Sequence, residues 1–248
     1  MRILKNIIPV LPLLMLVSCS ETAPEEEAVQ QLSFSQKAMS YPKSLEDKME
    51  YFPKKDNYAI DSLRLTQMWS HLPGDGTMLT PKQVRELSGK MNRDDLTTPN
   101  QYYLNDFHKI SALKQSGKYQ QYVDSLDIGM VRDVNCFAIG RMEFSDSLAI
   151  MIWQLRYNSY EACPAFEGMN VIGSLIVGGE VKRSIQLAAY ETSADAPVSS
   201  ETYQLMRIID GKILERREHV RVMEMEEMVE DSHRIHLNHI TTQGYIKL

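Results

Sequence analysis

The hydrophobic residues at positions 58–126 recur mostly three or four positions apart, the spacing that places them on one face of a helix. Two Thr-Pro pairs, at 80–81 and 98–99, match a helix N-cap followed by proline at the first helical position. Gln83 completes a capping box after the first pair. Three or four helices are therefore predicted, beginning near residues 61, 81, 99 and 119.

After Gly129 the pattern changes to short hydrophobic runs separated by turn residues, as in antiparallel strands. In the run at 181–190, hydrophobic and polar residues alternate, which indicates a half-buried strand. Gly178-Gly179 and Asp210-Gly211 favour the positive φ angles of tight hairpin turns. Seven or eight strands are predicted, at 134–144, 148–157, 169–177, 181–190, 203–209, 213–225, 234–240 and 245–248.

These patterns predict an α+β fold, with N-terminal helices followed by an antiparallel β-meander that forms a curved sheet or a partly closed barrel. The helical segment is expected at 51–128 and the sheet at 129–248, with both in one globular unit. A complete propeller is excluded, because about four blades of four strands need a longer chain.

The first eighteen residues have the order of a secretion signal. Arg2 and Lys5 precede an apolar run at 7–17, which leads through small residues to Cys19. The run is too short for a membrane-spanning helix, which needs about 20 apolar residues. Its end resembles the lipobox of bacterial lipoproteins. The resemblance implies a signal peptide at 1–18, cleavage before Cys19 and a diacylglycerol on the Cys19 sulfur.

Lipidation at Cys19 implies a location in the cell envelope. Several acyl chains on one residue anchor a protein durably to a bilayer. Ser20 stands where some Gram-negative lipoproteins carry an inner-membrane retention aspartate, so an outer-membrane lipoprotein is expected. Orientation towards the periplasm and orientation towards the surface both stay open.

Residues 19–50 are predicted to be the lipidated cysteine and an acidic tether, because 21–27 hold four glutamates and no large apolar residue. Glu25-Glu26-Glu27 resembles the surface-export stretch of Bacteroidota lipoproteins, and a plain spacer is the alternative. Residues 120–248 also loosely resemble uncharacterised lipoproteins of Bacteroidota in the order of their hairpins and turns. That resemblance supports the sheet and implies no activity.

Composition is that of a globular protein, with 43% hydrophobic and 24% charged residues. The chain has 27 basic and 33 acidic residues, and removal of the signal takes two basic residues away. The sequence shows no basic patch, so no nucleic-acid partner is expected. The membrane, through Cys19, and an envelope protein or small ligand are the expected partners.

Cys136 and Cys163 are the two cysteines left after lipidation of Cys19. In an oxidising compartment they are candidates for a disulfide. The alternative is two buried thiols that pack as small apolar residues. Sequence alone leaves both open.

His233, His236 and His239 suggest a metal site, because imidazole is a common metal ligand. In a strand, however, His236 faces away from the other two, so surface histidines are the favoured interpretation. Tyr157, Tyr160 and Phe166 flank Cys163 and Pro164 at a predicted loop that spans 158–168. This loop serves recognition or covers one end of the sheet.

The acidic residues at 224–231 lack the spacing of a calcium loop and are predicted to form a solvated bend. The sequence contains no nucleophile elbow, phosphate-binding loop or His-Glu-x-x-His motif. We therefore expect a non-enzymatic, envelope-anchored binding protein without a cofactor. The rival is a periplasmic metal-binding protein or enzyme whose residues are dispersed in the sequence.

Overall fold

A computed structural model describes residues 39–74, 77–89, 101–127, 130–159 and 165–248, all within one compact unit. The elements are, in chain order, a 3₁₀ helix Lys43–Tyr51, strand β1 Ala59–Ile60, helices α1 Ser62–Ser70, α2 Pro81–Ser88, α3 Gln101–Gln115 and α4 Tyr119–Asp124, and strands β2 Val131–Ser145, β3 Leu148–Ser159, β4 Ala165–Val177, β5 Glu180–Asp195, β6 Val198–Ile209, β7 Ile213–Glu224, β8 Glu227–Thr241 and β9 Gly244–Lys247. Among these helices, none has the length and apolarity needed to cross a bilayer.

The α+β class and the antiparallel meander are confirmed. Strands β2 to β9 each pair antiparallel with the next, and β1 adds a ninth strand by pairing with β6. Over the described residues the sheet is not closed into a barrel. Because β1 lies between the 3₁₀ helix and α1, the helices do not form one unbroken N-terminal block.

Helix starts follow their capping residues. The Asp61 carboxylate caps α1 by accepting a hydrogen bond from the Arg64 backbone N–H at 2.8 Å. At α2, Thr80 Oγ1 accepts from the Gln83 backbone N–H, and Gln83 Oε1 accepts from the Thr80 N–H at 2.9 Å. The predicted capping box is therefore confirmed. The predicted start at 98–99 lies outside the described residues.

The central strands are buried on both faces. In β3, Met151 and Trp153 face the helices, whereas Ile150 and Ile152 face the second half of the meander. Trp153 Nε1 donates to Ser174 Oγ at 2.8 Å, and Ser174 donates to the Leu87 carbonyl oxygen near the end of α2 at 2.6 Å. This chain of bonds joins the helical layer to the sheet.

The second half of the meander folds over the first. Strand β5 pairs with β6 only at 189–195, so the earlier part of β5 has only β4 beside it in the sheet. Leu214 of β7, Ile240 of β8 and Tyr245 of β9 then pack in one core with β3 and β4. The Tyr245 hydroxyl donates to the Gly173 carbonyl oxygen at 3.2 Å, which ties β9 to β4.

The end of the predicted tether belongs to the folded body, which corrects its boundary at residue 50. Leu45 of the 3₁₀ helix is 0% exposed and lies in the core. Farther along, the Lys55 N–H donates to the Arg141 carbonyl at 2.9 Å, and the Arg141 N–H donates to the Pro53 carbonyl at 3.0 Å. This segment covers the edge of β2, which would otherwise present unpaired backbone groups.

Glu143 holds the same segment in place through three partners. Its carboxylate accepts from the Tyr41 hydroxyl at 2.5 Å and from Arg141 Nε at 2.9 Å, and it lies 2.7 Å from Lys54 Nζ. The hydrogen bonds from Lys54 and Tyr41 lower the pKa of Glu143 from 4.5 to about 2. The charged carboxylate therefore stabilises the folded state.

Replacement of Glu143 by Gln should lower the free energy of unfolding by about 1–2 kcal/mol at neutral pH, because a charged acceptor is lost. Because the pKa of Glu143 is lowered in the folded protein, the contribution of its carboxylate to stability is fully present above about pH 4.5 and is lost as the pH falls towards 2. Urea unfolding of both proteins across this range measures the difference. Glu46→Gln, at an exposed position of the 3₁₀ helix, is the control. A loss of stability in Glu143→Gln that stays the same at every pH would contradict the role assigned to the charged Glu143 carboxylate.

Replacement of Ser174 by Ala should lower the free energy of unfolding by about 1–3 kcal/mol, because the buried indole N–H of Trp153 loses its acceptor. Denaturant unfolding followed by tryptophan fluorescence tests this. Ser199→Ala, on an exposed part of β6, provides the matched control and should leave stability unchanged. Equal stability of the two variants would count against a structural role for the Ser174 bond.

Candidate functional site

The β7–β8 hairpin brings two distant histidines together. Its turn uses Met225 and Glu226, both at positive φ. A bulge at Val229 then shifts the register by one residue, so that His219 lies directly opposite His233. Without the bulge His219 would face position 232, and the two imidazoles would lie on opposite faces of the sheet.

His219, Asp231 and His233 form one cluster on this hairpin. His219 Nε2 lies 2.6 Å from Asp231 Oδ1, and His233 Nε2 lies 3.3 Å from the same oxygen. The two imidazoles stack with their centroids 4.1 Å apart. One ligand atom from each residue lies within 4.8 Å of the other two, and this is the metal-ligand group found among the described residues.

The surroundings keep Asp231 charged. Its hydrogen bond with His219 lowers the pKa of Asp231, and the nearby charges of His219, His233 and Arg221 act in the same direction. Arg221 of β7 lies between Asp231 of β8 and Glu201 of β6, and its Nη1 lies 3.9 Å from Glu201 Oε2. The site therefore joins a charged carboxylate and two imidazoles, with a cation beside them.

This donor set matches a divalent transition metal. Zn²⁺ binds imidazole nitrogen and carboxylate oxygen at about 2.0–2.2 Å, and Cu²⁺ also favours imidazole. Three protein ligands leave at least one coordination position for solvent or another ligand. Ca²⁺ and Mg²⁺ prefer an all-oxygen set, which these residues do not supply.

A row of aromatic rings supports the site from one side. The row consists of cross-strand neighbours, one on each of β5 to β8: Tyr190, Tyr203, His219 and His233. Trp69 of α1 extends it beyond Tyr190. Successive ring centroids lie 5.3, 5.2, 6.5 and 4.1 Å apart, starting from Trp69. The row restricts the orientation of His219 because Tyr203 packs beside it.

The other predicted histidines lie elsewhere. As expected for a strand, His236 faces away from His233, and its Nε2 lies 4.0 Å from Glu218 Oε2. His239 lies at the far end of β8, paired with Ile213 and Ile246. The three histidines therefore do not form one site, and the sequence prediction missed His219 and Asp231 as partners of His233.

Cys136 is fully buried in β2 and forms no disulfide with any described residue, and burial raises the pKa of its thiol well above the usual value. Cys163, its predicted disulfide partner, lies outside the described residues, so the pairing stays a prediction. Cys19 and the signal peptide also lie outside them, and lipidation likewise stays a prediction.

The aromatic residues proposed for recognition are partly internal. Tyr157 is 5% exposed and stacks on Tyr103 of α3 with centroids 3.5 Å apart. Phe166 is half-buried beside both rings. Strands β3 and β4 extend into the predicted loop, and Tyr160 lies outside the described residues. Tyr157 thus packs in the core instead of presenting a recognition surface.

The acidic stretch at 224–231 is mostly strand, which corrects the predicted bend. Strands β7 and β8 continue through it, and only Met225 and Glu226 form the turn. Cross-strand pairing holds the polar residues extended in spite of their low hydrophobicity. This extension places Asp231 beside the two histidines.

No family model, curated protein or solved structure significantly matches the chain.

Proposed function

We propose that the protein is an envelope-anchored, non-enzymatic binding protein whose ligand is a divalent transition-metal ion. The observation that carries this proposal is the convergence of two imidazoles and one carboxylate oxygen at His219, Asp231 and His233. The ligands come from adjacent strands of one hairpin, so the sheet positions them before an ion binds.

Modest affinity is expected of this site. Asp231 and His233 are exposed, so water competes for the ion, and the Arg221 guanidinium repels a cation. The described part of the chain adds no fourth protein ligand to these three, which points in the same direction. These features suit reversible binding of an ion better than a permanent structural metal.

The lipid anchor completes the proposal. Cleavage before Cys19 and acylation of its sulfur would hold the domain at the outer membrane, with residues 20–38 leading to the folded body. The metal site would then act at the envelope. Periplasmic and surface-facing orientations fit the lipidated form equally.

Titration of the purified mature protein with Zn²⁺ by calorimetry should show one site of roughly micromolar affinity. His219→Ala and His233→Ala should each weaken binding at least about tenfold, because each removes a ligand. Binding should also fail near pH 5, because protons compete with the metal for imidazole nitrogen. Ca²⁺ should produce no saturable heat.

His236→Ala and His239→Ala are matched controls on the same strand and should bind Zn²⁺ like the unmodified protein. Arg221→Gln should tighten binding, because a cation near the site is removed. Equal loss of affinity in the His236 and His233 variants, or no binding by the unmodified protein, would refute the site.

Replacement of Cys19 by Ser should leave the signal uncleaved and the protein unacylated. Mass spectrometry and metabolic labelling with a fatty-acid analogue measure both changes in the bacterial host. Ser18→Ala, which keeps a small residue beside the cleavage point, is the control and should still be lipidated. A mature protein without a lipid in the unmodified strain would contradict the anchor.

A further inference from the structure

A cleft of about 460 Å³ lies between α1 and the sheet, and its lining residues are distinct from the histidine cluster. Met68 of α1, Leu72 just after it and Ile139 of β2 supply apolar walls. Gln154 of β3 lines the same space from the sheet side. The volume falls within the range of small-molecule sites, about 300–1,000 Å³.

Gln154 is an unusual residue in this position. It is 1% exposed, yet neither its Oε1 nor its Nε2 has a hydrogen-bond partner within the described part of the chain. A buried amide without partners costs about 1–3 kcal/mol of stability. A hydrophobic side chain of similar length would fill the same place without this cost, so the amide points to a binding role.

The C-terminal end of α1, which forms one side of the cleft, is held in a fixed position. Arg156, two residues from Gln154 on the same face of β3, donates to the carbonyl oxygens of Met68, Trp69 and His71 at 3.3, 2.6 and 3.2 Å. The guanidinium also lies over the Trp69 ring, 4.6 Å from its centroid. The end of α1 is thus anchored above the cleft.

We propose that this cleft binds a small molecule with an apolar body and an amide edge, meaning an N–H donor beside a carbonyl acceptor. The side-chain amide of Gln154 presents a donor and an acceptor side by side, and a primary carboxamide or lactam complements both at once. The apolar body of the ligand packs against Met68, Leu72 and Ile139. Such a ligand satisfies both orphaned atoms of Gln154.

Benzamide is a suitable probe, because it combines a flat apolar ring with a primary carboxamide. Added to the purified mature protein, it should shift NMR signals of residues around Met68 and Ile139 with roughly millimolar or tighter affinity. N,N-dimethylbenzamide keeps the ring and carbonyl but lacks the N–H, and should bind at least about tenfold more weakly.

Gln154→Met keeps the length of the side chain and removes both polar atoms. It should raise the melting temperature by roughly 2–8 °C, because the unpaired amide is gone, and should abolish the preference for benzamide over its dimethyl analogue. Gln121→Met, on the exposed face of α4, is the control and should retain the preference.

Equal binding of benzamide to the Gln154→Met and unmodified proteins would overturn the proposal, as would no binding to the unmodified protein. A shift confined to residues outside the cleft would do the same. The histidine site can be tested separately, because His219→Ala should leave benzamide binding intact.

Discussion

Strands β3 and β4 carry hydrophobic side chains on both faces, so they stay folded only while two layers cover them. The 3₁₀ helix and helices α2 to α4 cover the face that contains Trp153, whereas α1 and the second half of the meander cover the face that contains Ile152. Both candidate sites follow from this arrangement. Helix α1 packs at the margin of the second core and leaves the cleft beside Gln154. The outer ends of β5 to β8 extend beyond that core, so His219 and His233 lie at the surface on a regular sheet.

Much of the fold could be predicted from local signals. Thr80 with Gln83, and the Asp210-Gly211 turn, act through neighbouring backbone groups and therefore appear in the sequence itself. Elements that depend on distant partners were missed or shortened. The 3₁₀ helix around Leu45 has few apolar residues and is stabilised by the core. The outer half of β5 is polar and is held extended by pairing with β6.

The candidate sites were harder to predict for a similar reason. His233 could be singled out by its neighbours in the sequence, but His219 joins it only through the register of β7 and β8. That register depends on one bulged residue, Val229, which no simple pattern marks. Gln154 interrupts a hydrophobic run, and the sequence shows it only as a polar residue within a strand. That its amide has no hydrogen-bond partner among the described residues depends on every side chain packed around it.

The hydrogen bond between the Tyr245 hydroxyl and the Gly173 carbonyl closes the second core with β9, the strand that follows all the other described strands along the chain. Until the ribosome has made the protein through Tyr245, β4 has no β9 to hold, and the hydrophobic face with Ile152 lacks part of its cover. The buried residues described in the first core lie between Leu45 and Ile176, so a growing chain can complete that core before β5 to β9 are added. The order of the strands therefore divides assembly into two stages, a first core whose buried residues end with β4 and a second core that closes only when β9 is in place.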